Sequence, residues 1–216
     1  VDDRSGIPAD ELPAAIASAD ALIIRGRTRV TASVIQAANR LKVVGRAGVG
    51  VDNIDLDAAR RRSVTVVNAP TATTVAVAEL AFGLMLALAR EIPRADSAMK
   101  RGEWLKKELE GIELSGKTLG IIGYGHIGTQ VGLLAEALGM RPMFYDIATK
   151  LALGNATALD SLDAVLARAD VVTLHVPDTP QTQRMIGAPE LLRMRRGAAL
   201  INASRGNVVD IDAIDD

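Results

Sequence analysis

The clearest candidates for chemistry in this sequence are three closely spaced glycines, Gly123, Gly125 and Gly128. They follow an aliphatic run, Thr118–Ile122, that predicts a strand, and they open an Ala- and Leu-rich segment, residues 126–138, that predicts a helix. In that context the first glycine makes a tight turn, the second lets the backbone approach a pyrophosphate, and the third lets the helix pack on the strand. The helix N-terminus would supply N–H groups and the positive end of its dipole. Packing alone is the alternative role for such a glycine-rich turn.

A carboxylate stands where a dinucleotide site needs one. Asp146 ends the next predicted strand, Arg141–Tyr145, and lies 18 residues after Gly128. The acid that accepts the ribose hydroxyls of a dinucleotide is expected at about 20 residues. Because its charge would repel a 2′-phosphate, the sequence predicts NAD rather than NADP as the cofactor.

Composition excludes several other classes of function. The formal net charge is -1, so no overall field attracts nucleic acid. The absence of cysteine excludes thiolate metal sites and fits a reducing, cytoplasmic environment, and two histidines are too few for an imidazole-based metal centre. The longest apolar run, residues 80–89, is about half the length that spans a bilayer, and the N-terminus does not resemble a signal peptide. We therefore expect no metal, no nucleic acid and no membrane as partners.

Aliphatic runs alternate with Ala- and Leu-rich segments, which is typical of an α/β fold with parallel strands. We predict a first domain over residues 1–70 and a second over residues 71–216. Within the second, residues 71–114 form linking helices. The helix over residues 71–89 is apolar on nearly every face, which predicts burial all round, against a sheet or against another subunit. The predicted strands that follow it are Thr118–Ile122, Arg141–Tyr145, 171–176 and 198–202.

Four separated motifs, in family order, resemble the D-isomer-specific 2-hydroxyacid dehydrogenases. They are RAGVGVDNID at 46–55, NAPTATTVAVAE at 68–79, LGIIGYGHIG at 119–128 and NASRGNVVD at 202–210. FYDI at 144–147 and KLALGNAT at 150–157 are similar to the members that act on a phosphorylated 2-hydroxy acid. The resemblance implies a Rossmann-type doubly wound parallel sheet, a smaller flavodoxin-like α/β substrate domain, an active site between the two domains, and a homodimer or homotetramer.

The resemblance also assigns residues to the cofactor. The three glycines and the backbone of His126 and Ile127 would hold the pyrophosphate of NAD, and Asp146 the adenosine ribose. Val176, Ala203 and Ser204 would line the nicotinamide side. His175, which does not match the family's catalytic histidine, is as readily a packed residue as a ligand contact.

Arg205 matches the family's catalytic arginine, which also contacts the cofactor. A guanidinium can clamp the carboxylate of a 2-hydroxy acid and polarise the developing carbonyl oxygen. The alternative is that Arg205 only pairs with an acid such as Asp210.

Several cations could bind the anionic groups of a phosphorylated substrate. Arg25, Arg27 and Arg46 follow or end predicted strands of the first domain, and Arg25 and Arg27 resemble the family's phosphate ligands. Lys106 resembles a lysine that reaches the substrate from the partner subunit. Without the family, all four would be interpreted as solvated surface charges.

The chain departs from the family in two respects. The His and Glu that serve as acid and base in the family follow the catalytic arginine after further strands, and neither is present here. With residues 198–202 as the fourth strand of the sheet, two further strands are also expected, so we expect a fragment of a longer protein. The alternatives are a relative acting on glyoxylate, hydroxypyruvate or lactate, and a non-catalytic scaffold that responds to NAD.

Overall fold

The computed structural model describes residues 1–214, and the chain divides into two compact units. The first unit is Val1–Thr73, and the second unit begins at Thr74.

The first unit is a three-stranded parallel sheet in the order β1-β2-β3, with three short helices. Its elements are α1 (Leu12–Ala15), β1 (Ala21–Ile24), α2 (Ala32–Ala37), β2 (Val43–Arg46), α3 (Leu56–Arg61) and β3 (Thr65–Asn68). Thr31 and Asp55 cap the second and third helices, because their side chains accept the N–H groups of Val34 and Ala58. The strand register aligns Ile24, Arg46 and Asn68, so the three strands end at one edge.

The second unit begins with two helices, α4 (Thr74–Ala89) and α5 (Ile92–Lys100). A five-stranded sheet and its connections follow: β4 (Thr118–Ile122), α6 (His126–Ala137), β5 (Arg141–Tyr145), β6 (Thr157–Ala158), α7 (Leu162–Leu166), β7 (Val171–Leu174), α8 (Ala188–Arg193) and β8 (Ala199–Asn202). Two single turns of 3₁₀ helix, Gly206–Val208 and Ile211–Ala213, come last among the described elements. All strand pairs are parallel, in the order β6-β5-β4-β7-β8.

This order confirms the doubly wound α/β class. The first three strands run outward from β4, and the chain then crosses back to place β7 on the other side of β4. Ligands of such sheets bind outside the carboxyl ends of the strands at this reversal point. The central strand is covered on both faces: Leu119, Ile121 and Ile122 are all at most 1% exposed.

The prediction that residues 198–202 form the fourth strand of this sheet was wrong. Strand β8 is the fifth, because the two-residue strand β6 pairs with β5 at the sheet edge through Met143 and Phe144. Two residues are too few to show the alternation by which a strand is recognised in a sequence.

Helix α4 is not buried all round within this chain. Ala78, Phe82 and Met85 face the core, whereas Leu80, Leu84 and Leu88 are 55%, 41% and 57% exposed. The exposed leucines are spaced i, i+4 and i+8, which places them on one face of the helix. Among the described helices, none combines the length and the apolar character needed to cross a bilayer.

Candidate functional site

The register of the second sheet brings four predicted positions to one edge. Ile122 pairs with Tyr145 and Leu174, and Leu174 pairs with Asn202. The residue after each strand therefore lies at the same carboxyl-terminal edge: Gly123, Asp146, His175 and Ala203. Since β4 is the strand at which the order reverses, this edge is where a doubly wound sheet is expected to bind its ligand.

The structure gives a different reason for glycine at each of the three loop positions. Gly123 has φ +89°, and a Cβ there would lie 2.5 Å from the carbonyl oxygen of His175. A Cβ at Gly128 would lie 2.1 Å from the carbonyl oxygen of Gly123. A Cβ at Gly125 would meet no protein atom within 4 Å. The fold therefore demands glycine at the first and third positions, whereas at Gly125 it leaves open space in front of the backbone.

The open position at Gly125 is at the start of a 12-residue helix, α6. Gly125 is the N-cap of α6 and brings no side-chain acceptor to it. The N–H groups of His126, Ile127 and Gly128 belong to the first helical turn, which has no acceptors within its own helix. Unpaired N–H groups and the positive dipole end together favour an anion. These residues fit the pyrophosphate of NAD.

Asp146 is held by the backbone on both carboxylate oxygens. Its Oδ2 accepts the N–H of Tyr124 at 2.8 Å, and its Oδ1 accepts the N–H of Ala148 at 2.9 Å. The residue is only half-buried, and each oxygen retains lone pairs for a further donor. A pair of ribose hydroxyls is a donor set that this carboxylate can bind.

The loop after β8 is organised by Asn202, which the sequence analysis did not single out. Its Oδ1 accepts both the N–H and the hydroxyl of Ser204, at 3.0 and 2.8 Å, and its Nδ2 donates to the carbonyl oxygen of Arg205 at 2.7 Å. The available signal was a polar residue at the end of an apolar strand. Arg205 is half-buried and donates from Nη1 to the carbonyl oxygen of Ser204. Ala203 and Val176 at the same edge are also half-buried.

The structure places Asp210 beside another arginine. Arg184 Nη2 lies 3.7 Å from Asp210 Oδ1 and 3.5 Å from Asp212 Oδ2. The backbone of Ile186 also bridges to this segment, accepting the N–H of Asp210 and donating to the carbonyl of Val208. Arg184 thus helps to hold the segment that follows Arg205.

Three of the four predicted substrate cations lie at one edge of the first sheet. Arg25 and Arg27 are exposed in the loop after β1, and Arg46 ends β2. The Arg46 guanidinium packs against Gly48 and lies 3.5 Å from the position of a Cβ on Gly26, inside that loop. Arg46 Nε is buried, and no described residue accepts its hydrogen. The fourth cation, Lys106, is exposed in the connection after α5, in the second unit.

His175 is half-buried, and the Nδ1 atom of its ring is fully buried. Its Nε2 lies 3.0 Å from Thr173 Oγ1, and no described residue bonds its buried Nδ1. Burial lowers the pKa of His175 to about 4 from its usual 6.5. The ring is therefore neutral at pH 7.

This burial predicts a pH-dependent stability. Between pH 6.5 and about 4 the unfolded chain binds more protons at His175 than the folded chain does. The stability that the neutral ring contributes is therefore complete above pH 6.5 and is lost as the pH falls, by roughly 2 kcal/mol at about pH 5. Urea unfolding at about pH 7.5 and at about pH 5 measures the free energy of unfolding. Between these two pH values it should fall less in His175→Gln than in the wild-type protein, because glutamine does not titrate. Equal losses of unfolding free energy in the wild-type protein and in His175→Gln would contradict the lowered pKa of His175.

Comparisons with known proteins agree with this geometry. Residues 82–216 match the family model described as D-isomer specific 2-hydroxyacid dehydrogenase, NAD binding domain. The chain is 48% identical to D-3-phosphoglycerate dehydrogenase of Methanocaldococcus jannaschii over 99% of this chain and 41% of that protein. The chain also resembles the solved structure of the TT0316 protein from Thermus thermophilus, with a TM-score of 0.89 and 38% identity over 96% of this chain and 67% of that one.

A third comparison concerns a solved structure that holds the cofactor. The D-lactate dehydrogenase from Aquifex aeolicus, complexed with NAD and lactic acid, matches with a TM-score of 0.86 and 32% identity, over 97% of this chain and 62% of that one. The chain spans about half the length of the curated relatives that it matches. The chain belongs to the D-isomer specific 2-hydroxyacid dehydrogenase family, and its second unit carries the family's NAD-binding domain.

Proposed function

We propose that the protein is a cytoplasmic, NAD-dependent D-3-phosphoglycerate dehydrogenase, an oxidoreductase that serves serine biosynthesis. The main observation in support is the accessible backbone at Gly125, at the N-terminus of α6. It lies beside the carboxylate of Asp146, which hydrogen bonds hold in place. The similarity to D-3-phosphoglycerate dehydrogenases of two organisms, at 48% identity each, supports this choice among the 2-hydroxyacid dehydrogenases. The lack of cysteine fits a reducing compartment.

When bound, NAD supplies the hydride acceptor of this chemistry. In the proposed site the N–H groups at the start of α6 hold the pyrophosphate, with Gly125 giving room for close approach. Asp146 accepts hydrogen bonds from the adenosine ribose. Val176, Ala203 and Ser204 line the nicotinamide side.

Arg205 is the residue to which we assign the chemistry. Its fork of donors binds the substrate carboxylate and stabilises negative charge on the neighbouring oxygen as the carbonyl forms. Asn202 supports this role, because it holds the backbone of Ser204 and Arg205 in one turn before any substrate binds. Pre-organised donors act most strongly where charge develops.

For the substrate phosphate we propose Arg25, Arg27 and Arg46, with Lys106 from the partner subunit. The three arginines lie at one edge of the first sheet, and the Arg46 guanidinium is next to the loop that carries Arg25 and Arg27, which supports the proposal for the first unit. A dianionic phosphate can be bound by several such cations at once.

We further propose that the protein is a homodimer or homotetramer. The exposed leucine face of α4 supports this, and Trp104 and Ile112, at 74% and 55% exposed, add to the apolar surface of this unit. Sedimentation velocity should show a species of at least twice the chain mass, and a monomer at micromolar concentration would contradict the proposal.

The test combines turnover with cofactor binding. The full-length protein is incubated with NAD and 3-phosphoglycerate while NADH absorbance is recorded, beside a thermal-shift titration with NAD. We expect stabilisation by NAD and formation of NADH. Turnover of glyoxylate or hydroxypyruvate instead would assign a different substrate, and stabilisation by NAD without turnover of any 2-hydroxy acid would favour a scaffold.

A further inference from the structure

We infer that Tyr124 is a positioning residue, whose buried ring holds the carboxylate of Asp146 in the orientation that recognises the adenosine ribose. The inference rests on the proposed role of Asp146 and adds a second residue to that recognition. Tyr124 occupies a variable position of the glycine pattern, where the spacing rule demands nothing of the side chain.

The ring of Tyr124 is anchored from two sides. It is stacked on Phe144, with ring centroids 3.7 Å apart and an interplanar angle of 9°, and both residues are 2% exposed. On another side lies Gly132 of α6, where an added Cβ would be 3.2 Å from the Tyr124 hydroxyl oxygen. A strand and a helix thus restrain one residue of the loop.

The backbone of the same residue reaches Asp146. The N–H of Tyr124 donates to Asp146 Oδ2 at 2.8 Å. Phe144 lies in β5, and Asp146 is the residue that directly follows this strand. The stacked ring and the bonded carboxylate therefore couple the loop to the same end of β5 at two points.

This coupling prepares the carboxylate for a ligand. With Oδ2 bonded to Tyr124 and Oδ1 bonded to Ala148, the carboxylate cannot rotate without breaking a charge-assisted hydrogen bond. A group fixed in advance loses less entropy when the ribose hydroxyls bind. Without the ring, the loop keeps the hydrogen bond from the N–H of Gly123 to the carbonyl oxygen of Tyr145 but loses the stacking contact, and we expect the N–H at residue 124 to hold the carboxylate less firmly.

The experiment measures recognition of the ribose separately from recognition of the pyrophosphate. Titration calorimetry gives the Kd of NAD and of its analogue lacking the adenosine 2′-hydroxyl. The wild-type protein should bind NAD about tenfold more tightly than the analogue, as expected for a hydrogen bond to a charged group. Tyr124→Ala should reduce this ratio to about twofold or less, whereas Tyr124→Phe, which keeps the ring, should preserve it.

Two controls distinguish positioning from general loosening. Met140→Ala removes a side chain of the same core that lies outside the loop and should lower stability without changing the ratio. Asp146→Ala should bind NAD and the analogue with equal affinity, and adding Tyr124→Ala to this variant should have no further effect on the ratio. If Tyr124→Ala does not fold, Tyr124→Leu fills the space without stacking and should also reduce the ratio.

The outcomes separate the two proposals. The inference is overturned if Tyr124→Ala or Tyr124→Leu keeps the wild-type ratio while Asp146→Ala binds NAD and the analogue equally. That result leaves the proposed function intact. Equal affinities for NAD and the analogue in the wild-type protein overturn the role of Asp146 and this inference with it. A wild-type protein that does not bind NAD at all overturns the proposed function.

Discussion

Arg205→Ala is expected to lower kcat/KM for 3-phosphoglycerate by about a thousandfold, the upper range for removing one group that stabilises developing charge. The half-buried guanidinium is the group we assign to the substrate carboxylate, and Asn202 holds its backbone in place. Arg205→Lys should recover only part of the loss, because a point charge cannot form the bidentate fork. Initial rates of NADH formation by the full-length protein measure both effects.

The matched control is another arginine of the same unit. Arg193 is exposed and forms ion pairs with the exposed Asp163 and the half-buried Glu190. Exposed pairs contribute little, so Arg193→Ala should leave kcat/KM within about twofold of wild type. If Arg205→Ala retained wild-type kcat/KM, Arg205 would not be catalytic, and the alternative of a purely structural arginine would be favoured.

Gly125→Ala is expected to weaken NAD binding by about a hundredfold or more while the protein still folds. The added methyl group contacts no protein atom within 4 Å, so it enters only the space through which the pyrophosphate would approach. Alanine is a poorer N-cap than glycine, which allows a loss of stability of about 1 kcal/mol. Calorimetric titration with NAD and thermal unfolding measure the two quantities separately.

Gly128→Ala provides the contrasting variant. Its Cβ would lie 2.1 Å from the carbonyl oxygen of Gly123, a backbone atom that cannot move without displacing the loop. We expect a loss of stability of about 3 kcal/mol, at the high end of the cost of overpacking. If Gly125→Ala bound NAD as tightly as wild type, close approach of the cofactor to the backbone at Gly125 would not be needed, and the role proposed for this glycine would be wrong.

The cofactor-binding pattern could be read from the sequence because its parts are close together in the chain. A strand, three glycines, a helix and an acid 18 residues further on lie within residues 118–146. Parallel pairing of β4 with β5 then brings the acid beside the loop without reference to the rest of the fold. The family motifs are likewise continuous segments, which is why family, fold class and cofactor followed from the sequence and were confirmed.

Features that depend on distant contacts were missed or misread. Strand β6 exists only because Met143 and Phe144 offer it an edge, and the apolar face of α4 gave no sign of which leucines the core would leave uncovered. The low pKa of His175 comes from burial, which has no local signature in the sequence.

The sequence by itself determined the chemistry available at the edge of the second sheet, because residue type and local spacing set which donors and acceptors follow each strand. Only the tertiary structure decided how those groups are held. Tyr124 is one position in a pattern until its ring stacks on Phe144, and Gly125 differs from Gly128 only in the atoms that surround it. Close packing and hydrogen-bond direction are set by neighbours far away in the chain, which local spacing does not encode.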